Sequence, residues 1–69
     1  MKQYEEAIKD YNRVIELDNN NLLAYFNRGN TKLKLKQYEW AIEDACKCIE
    51  IDKNYIDAYN QIGKYRKIY

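Results

Sequence analysis

Cys46 and Cys48 are the residues best equipped for chemistry in this chain, as metal ligands, a bridge or a nucleophile. Their spacing works against the first two. Residues two apart on a helix point about 200° away from each other, so these thiols cannot share one metal ion or bridge each other. A zinc site would also need His or a second cysteine pair, and the chain has neither. Free, mostly structural thiols in a reducing compartment are the expectation. The other usual reactive groups are missing. There is no His to serve as a general base near neutral pH and no Ser to serve as an activated hydroxyl. The two glycines stand 34 residues apart and cannot form a phosphate-cradling loop. The expectation is a protein that is not an enzyme, with no catalytic residue, cofactor or metal site.

Length and charge narrow the class further. A chain of 69 residues makes one small domain with a thin core. Twelve basic and eleven acidic side chains nearly cancel, so net charge offers no argument for nucleic acid or membrane binding. No apolar run approaches the roughly 18 residues of a spanning helix. Lys2, Glu5 and Glu6 interrupt any signal-peptide apolar region. A soluble, cytoplasmic protein is expected.

The chain repeats itself. Aligned at a shift of 34, fourteen of 35 residue pairs are identical, beginning with KQYE at 2–5 and again at 36–39. The others are Ala7/Ala41, Ile8/Ile42, Asp10/Asp44, Ile15/Ile49, Glu16/Glu50, Asp18/Asp52, Asn20/Asn54, Ala24/Ala58, Tyr25/Tyr59 and Gly29/Gly63. Self-similarity at this period signals stacked supersecondary units.

Each unit reads as two helices. Tyr4, Ala7, Ile8, Tyr11, Val14 and Ile15 recur at intervals of three and four, the period of an amphipathic helix, and Tyr38, Ala41, Ile42, Ala45, Cys48 and Ile49 repeat the stripe. A second helical pattern follows the Asn19-Asn20-Asn21 run, where an Asn side chain can cap the free backbone N–H groups. Asn54 precedes its counterpart, with Asp57 placed to return a bond as in a capping box. The spacing predicts four helices over 3–17, 21–35, 37–51 and 55–67, neighbours antiparallel because the connections are short.

The pattern Tyr25-x2-Arg28-Gly29-x2-Lys32 followed by Ala41-x3-Ala45, with Ala7-x3-Tyr11 before it and Tyr59-x2-Ile62-Gly63-x2-Arg66 after it, resembles the 34-residue tetratricopeptide repeat. The resemblance covers essentially the whole chain. It implies an all-α, right-handed α-solenoid of antiparallel helix hairpins, in which Gly29 and Ala41 let helix A and helix B approach closely. It also implies a phase: a helix B over 1–20, one complete repeat over 21–54 and a helix A over 55–69, as in a piece of a longer array. Two departures stand out. Basic residues, Lys32 and Arg66, replace the tyrosine of the pattern, and Arg28 replaces its leucine. An unpaired guanidinium near the A–B interface would be costly, so Arg28 is expected to pair with Asp44.

In this family the A helices line a concave groove. The resemblance therefore implies that Leu23, Phe26, Asn27, Asn30, Leu33 and Lys34 face the groove from one A helix, and Asp57, Asn60, Gln61, Lys64, Lys67 and Ile68 from the next. Amides there can bond a peptide backbone, Phe26 and Leu33 offer apolar contacts, and the lysines attract carboxylates. The competing reading is a solvated polar face. Charge separates along the chain: residues 21–36 sum to +4 and residues 37–52 to −4. That balance suits either a basic groove for an acidic partner or simple packing of oppositely charged neighbours. Some relatives clamp acidic chaperone tails with Lys, Asn and Arg. Asn27 matches the middle of that clamp, but Asp57 and Gln61 replace its last cations.

The leading expectation is a non-enzymatic module that binds a protein or peptide partner in the groove, without nucleic acid or membrane. RNA binding by a related helical-hairpin repeat is the weaker reading at a net charge of +1. The alternative is structural. Helix 1 leaves Ala7 and Tyr11 uncovered and helix 4 offers Tyr59, Ile62, Gly63 and Tyr69, so copies could stack as a head-to-tail homo-oligomer. Trp40 replaces Glu6 of the first copy, either resting on the outer surface or anchoring a partner.

Overall fold

The described residues form four helices: α1 (Lys2–Leu17), α2 (Leu22–Lys34), α3 (Tyr38–Ile51) and α4 (Ile56–Ile68). The computed structural model describes the backbone of residues 2–68 and the side chains of residues 2–64. Each helix starts and stops within one residue of its predicted span, and no strand occurs among the described residues.

The turns explain several of the repeated identities. Asp18 Oδ1 accepts from the Asn20 N–H at 3.2 Å, and Asp52 Oδ1 accepts from the Asn54 N–H at 3.0 Å, the same side-chain-built turn in both copies. Tyrosine then reaches back over each turn. The Tyr25 hydroxyl donates to the Asn19 carbonyl at 3.1 Å, and the Tyr59 hydroxyl to the Lys53 carbonyl at 3.0 Å. Asp and Tyr recur because the turn uses both side chains, whereas Asn20 and Asn54 contribute a backbone N–H to it.

Capping differs between the copies. Asn21 caps α2, its side chain accepting from the Ala24 N–H at 3.1 Å. Such a cap contributes about 1 kcal/mol. The predicted Asn54 cap does not form, because α4 begins at Ile56 and the Asn54 N–H is held by Asp52. The residue equivalent to Asn21 is Tyr55, whose phenol cannot fold back onto its own helix start. The sequence identity of Asn20 and Asn54 pointed one residue too early.

The α2–α3 turn carries strain. Lys36 sits at φ 63°, the only non-glycine with positive φ among the described residues. Its N–H donates to the Leu33 carbonyl and the Gln37 N–H to the Lys32 carbonyl, both at 2.9 Å, the pair of bonds that closes a helix through a left-handed residue. A side chain in that conformation costs roughly 1–2 kcal/mol, which glycine avoids. Lys36→Gly is therefore expected to stabilise the protein by about 1 kcal/mol, read as a rise in thermal midpoint of roughly 4–8 °C.

α2 is the hub, touching all three other helices, while α3 packs against both α2 and α4. The buried cluster is Tyr25, Ala41, Ala45, Cys48 and Ala58, ringed by partly buried side chains that include Ile15, Leu22, Phe26, Ile42 and Ile49. Three of the five central residues are alanines. Small side chains let the helix axes approach closely, so the core gains its contacts from backbone proximity rather than from bulk. The whole is a slab of 27 × 27 × 14 Å.

Candidate functional site

Charge on α2 faces two ways. The side of Arg28 and Lys32 turns toward α3. Arg28 Nε and Nη2 donate to Asp44 Oδ2 and Oδ1 at 2.9 and 2.6 Å, a bidentate fork. The pairing expected from the sequence is therefore present. Two further members extend it: Lys32 Nζ lies 3.0 Å from Asp44 Oδ2, and Arg28 Nη1 donates to Asn12 Oδ1 of α1 at 2.7 Å. Asp44 is only 3% exposed. The guanidinium is held above its usual pKa range, first by its hydrogen bond to Asp44 and against the opposing effect of burial. It also lies over the Tyr25 ring, 5.4 Å from the centroid, with the Lys47 ammonium 5.9 Å from the same ring.

This network joins α1, α2 and α3, and it decides part of the charge question. Two of the four cations of residues 21–36 are committed to Asp44, so that part of the charge separation is helix packing. Lys34 is exposed, with its ammonium 5.6 Å from the centroid of the Tyr4 ring.

The opposite side of α2 meets α4. The Gln61 side-chain N–H donates to Asn30 Oδ1 at 2.7 Å and to the Phe26 carbonyl at 3.4 Å. The Phe26 ring packs edge-on against Tyr55, centroids 5.4 Å apart. Phe26, Asn30 and Leu33 are half-buried, whereas Leu23, Asn27, Lys34, Asp57, Asn60 and Lys64 are exposed. Gln61 departs from its expected part. It is buried, and its Oε1 has no hydrogen-bond partner among the described residues. It fastens α4 to α2 and is not a free amide facing solvent. The spacing could not reveal this, because Gln61 is equivalent to Asn27, which stays exposed.

Of the uncovered faces, Ala7, Tyr11 and Ile62 are half-buried and Tyr59 is exposed. Ile62 packs against the core cluster. Tyr69 and the side chains of Lys67 and Ile68 lie outside the described residues. Trp40 is exposed, beside a shallow depression of about 270 Å³ lined by Lys36, Gln37, Tyr38, Glu39 and Trp40 at the α2–α3 turn.

The two cysteines part as their spacing implies: Cys46 is exposed and Cys48 buried, both with free thiols. The Cys48 S–H faces the Leu22 carbonyl at 3.6 Å. Burial first, then the Asp44 charge, push this thiol from 9.0 up to about 11. The folded state thus holds the proton more tightly than the unfolded chain does. Its contribution is fully present below pH 9.0 and is lost as pH rises toward about 11. Stability is expected to fall by up to roughly 3 kcal/mol over that window. Urea titrations at stepped pH should show a shallower fall in Cys48→Ala; equal slopes would contradict the assignment.

Among the described residues no helix is long and apolar enough to cross a membrane. A family model described as TPR repeat matches residues 1–36, and another described as tetratricopeptide repeat matches residues 22–55. The second match begins where α2 does. No curated protein matches the chain.

Proposed function

Because the chain belongs to the tetratricopeptide repeat family, whose repeats are generally protein–protein interaction modules, we propose that it binds an extended peptide segment of a partner along α2 and α4. In this reading α1 is the second helix of one repeat, residues 21–54 form a complete repeat and residues 55–69 the first helix of another. The observation that carries the reading is the Gln61 bridge. It holds α4 against α2 through Asn30 and the Phe26 carbonyl, which supports reading the exposed side chains of the two helices as one row.

Leu23, Phe26 and Leu33 supply apolar contacts to that row. Asn27 and Asn60 present amides that can bond both the N–H and the carbonyl of a peptide unit. Lys34 and Lys64 favour acidic side chains or a carboxylate. Asn30 and Gln61 act beneath the surface by fixing the spacing of the helices. An acidic partner is favoured because Lys34 of α2 and Lys64 of α4 are both exposed, although Asp57 limits how much negative charge the α4 side accepts. The reading is one of binding without chemistry.

A random peptide library selected against the chain supplies the ligands, and affinities for the selected peptides are then measured in Asn27→Ala and Lys64→Ala. Each variant is expected to weaken binding by about tenfold, the loss of one or two hydrogen bonds or one charge contact. Full affinity in both would move the site off this row.

A further inference from the structure

The two copies of the repeat differ in which positions are covered. Ala41, Asp44, Ala45 and Cys48 of α3 are all buried against neighbouring helices. Their equivalents on α1 are Ala7, Asp10, Tyr11 and Val14, and none is buried; Val14 is 38% exposed. One of the two helices packed on α3 is α2, whose equivalent is α4, and α4 shows the matching excess. Tyr25 is 7% exposed and Tyr59 50%; Leu22 is half-buried and Ile56 70% exposed. Gly29 is buried, while a Cβ placed on Gly63 would meet nothing within 4 Å.

We infer that this 69-residue chain associates with copies of itself, α4 of one molecule docking on α1 of the next in the arrangement that α2 and α3 adopt within a molecule. The occupant is a second copy because the two open faces are the two halves of an interface the fold already makes. Tyr25 and Gly29 recur as Tyr59 and Gly63 on one side, and Ala41, Ile42 and Asp44 recur as Ala7, Ile8 and Asp10 on the other. Tyr59 is already set for it. Its hydroxyl is tied back to Lys53 as that of Tyr25 is to Asn19, so docking orders little that is not already ordered.

Charge agrees in sign. Residues 53–69 sum to +3, and α1 carries Glu5, Glu6, Asp10 and Glu16 against Lys2, Lys9 and Arg13. In sequence Arg66 holds the position of Lys32, and Asp10 that of Asp44. Tyr11 is bulkier than Ala45, which sets the new helix pair farther apart at that level. The contact joins unlike faces and does not close on itself, so it propagates into chains. It leaves Asn27, Asn60 and Lys64 outside the interface, and peptide binding and assembly stand or fall separately.

Sedimentation velocity on the 69-residue chain from micromolar to millimolar concentration tests the contact. The expected result is a mass that climbs with concentration past twice the monomer. A monomer throughout would overturn the inference. Val14→Glu and Ile56→Glu change exposed side chains on the two different faces. Each alone is expected to stay monomeric. An equimolar mixture retains one intact α4 face and one intact α1 face, and is expected to form a dimer that grows no further. A mixture that remains monomeric would overturn the head-to-tail geometry. Should either variant fail to fold by circular dichroism, a Cys46→Ser background with Val14→Cys in one molecule and Ile56→Cys in another decides. Val14 and Ile56 are equivalent to the contacting Cys48 and Leu22, and oxidation should give the mixed dimer in excess over a random pairing. Random pairing would contradict the contact.

Discussion

Asp44→Ala is expected to destabilise the protein by about 3–5 kcal/mol, because removing one partner of a buried ion pair strands the others. Here two cations are stranded. Arg28 and Lys32 both place their charges on Asp44, which is 3% exposed, and Arg28 cannot shed its proton to escape. A domain of this length has only about 3–10 kcal/mol of stability in all. Urea denaturation followed by circular dichroism should therefore find Asp44→Ala unfolded or close to it in buffer. The equivalent change Asp10→Ala supplies the control. Asp10 is exposed, and its loss is expected to shift stability by no more than about 0.5 kcal/mol. Equal denaturation midpoints for the two variants would show that the network does not hold the hairpin.

Ala45→Leu is the second large effect. Ala45 is fully buried within the cluster of Tyr25, Ala41, Cys48 and Ala58. Added methylenes have no void to enter, and the helices must separate or twist, at a cost of about 2–3 kcal/mol. The chain contains its own comparison, since Tyr11 stands at this position in the first copy. A tyrosine fits there because that face of α1 carries no buried residue. Thermal unfolding of Ala45→Leu should show a midpoint lower by about 10 °C or more. An unchanged midpoint would mean the α2–α3 packing is loose.

What the sequence revealed and what it hid follow from the physics of each feature. Period and spacing placed the four helices to within a residue, because apolar stripes at intervals of three and four report burial directly. The Arg28–Asp44 pair was legible as well, since a guanidinium near an apolar interface demands a carboxylate. Asn12 and Lys32 were not, because several polar side chains at helical spacing could have filled those places. Gln61 illustrates the harder limit. Its equivalence to Asn27 argued for an exposed amide, yet Gln61 turns inward and donates to Asn30 Oδ1 and the Phe26 carbonyl. The Asn54 cap failed for a different reason: identity between copies marked the turn, which is conserved in geometry, and not the cap, which is Asn21 in one copy and Tyr55 in the other.

In the proposed reading the same differences separate architecture from binding. Several positions identical in both copies build turns and close helix contacts. Positions that differ, Leu23 against Asp57, Phe26 against Asn60 and Asn30 against Lys64, fall on the α2–α4 row and give it its chemical character. Trp40, in place of Glu6, lies instead at the α2–α3 turn, a second exposed surface that a partner could use.

Amide chemical-shift mapping of the isotope-labelled chain during titration with an acidic peptide selected from the library is the most direct measurement of the proposed binding row. The account predicts saturable shifts concentrated at Asn27, Asn30, Asn60, Gln61 and Lys64, with Trp40 and the exposed positions of α3 unmoved. Shifts concentrated at Trp40 and the α2–α3 turn, with the α2–α4 row unmoved, would contradict it.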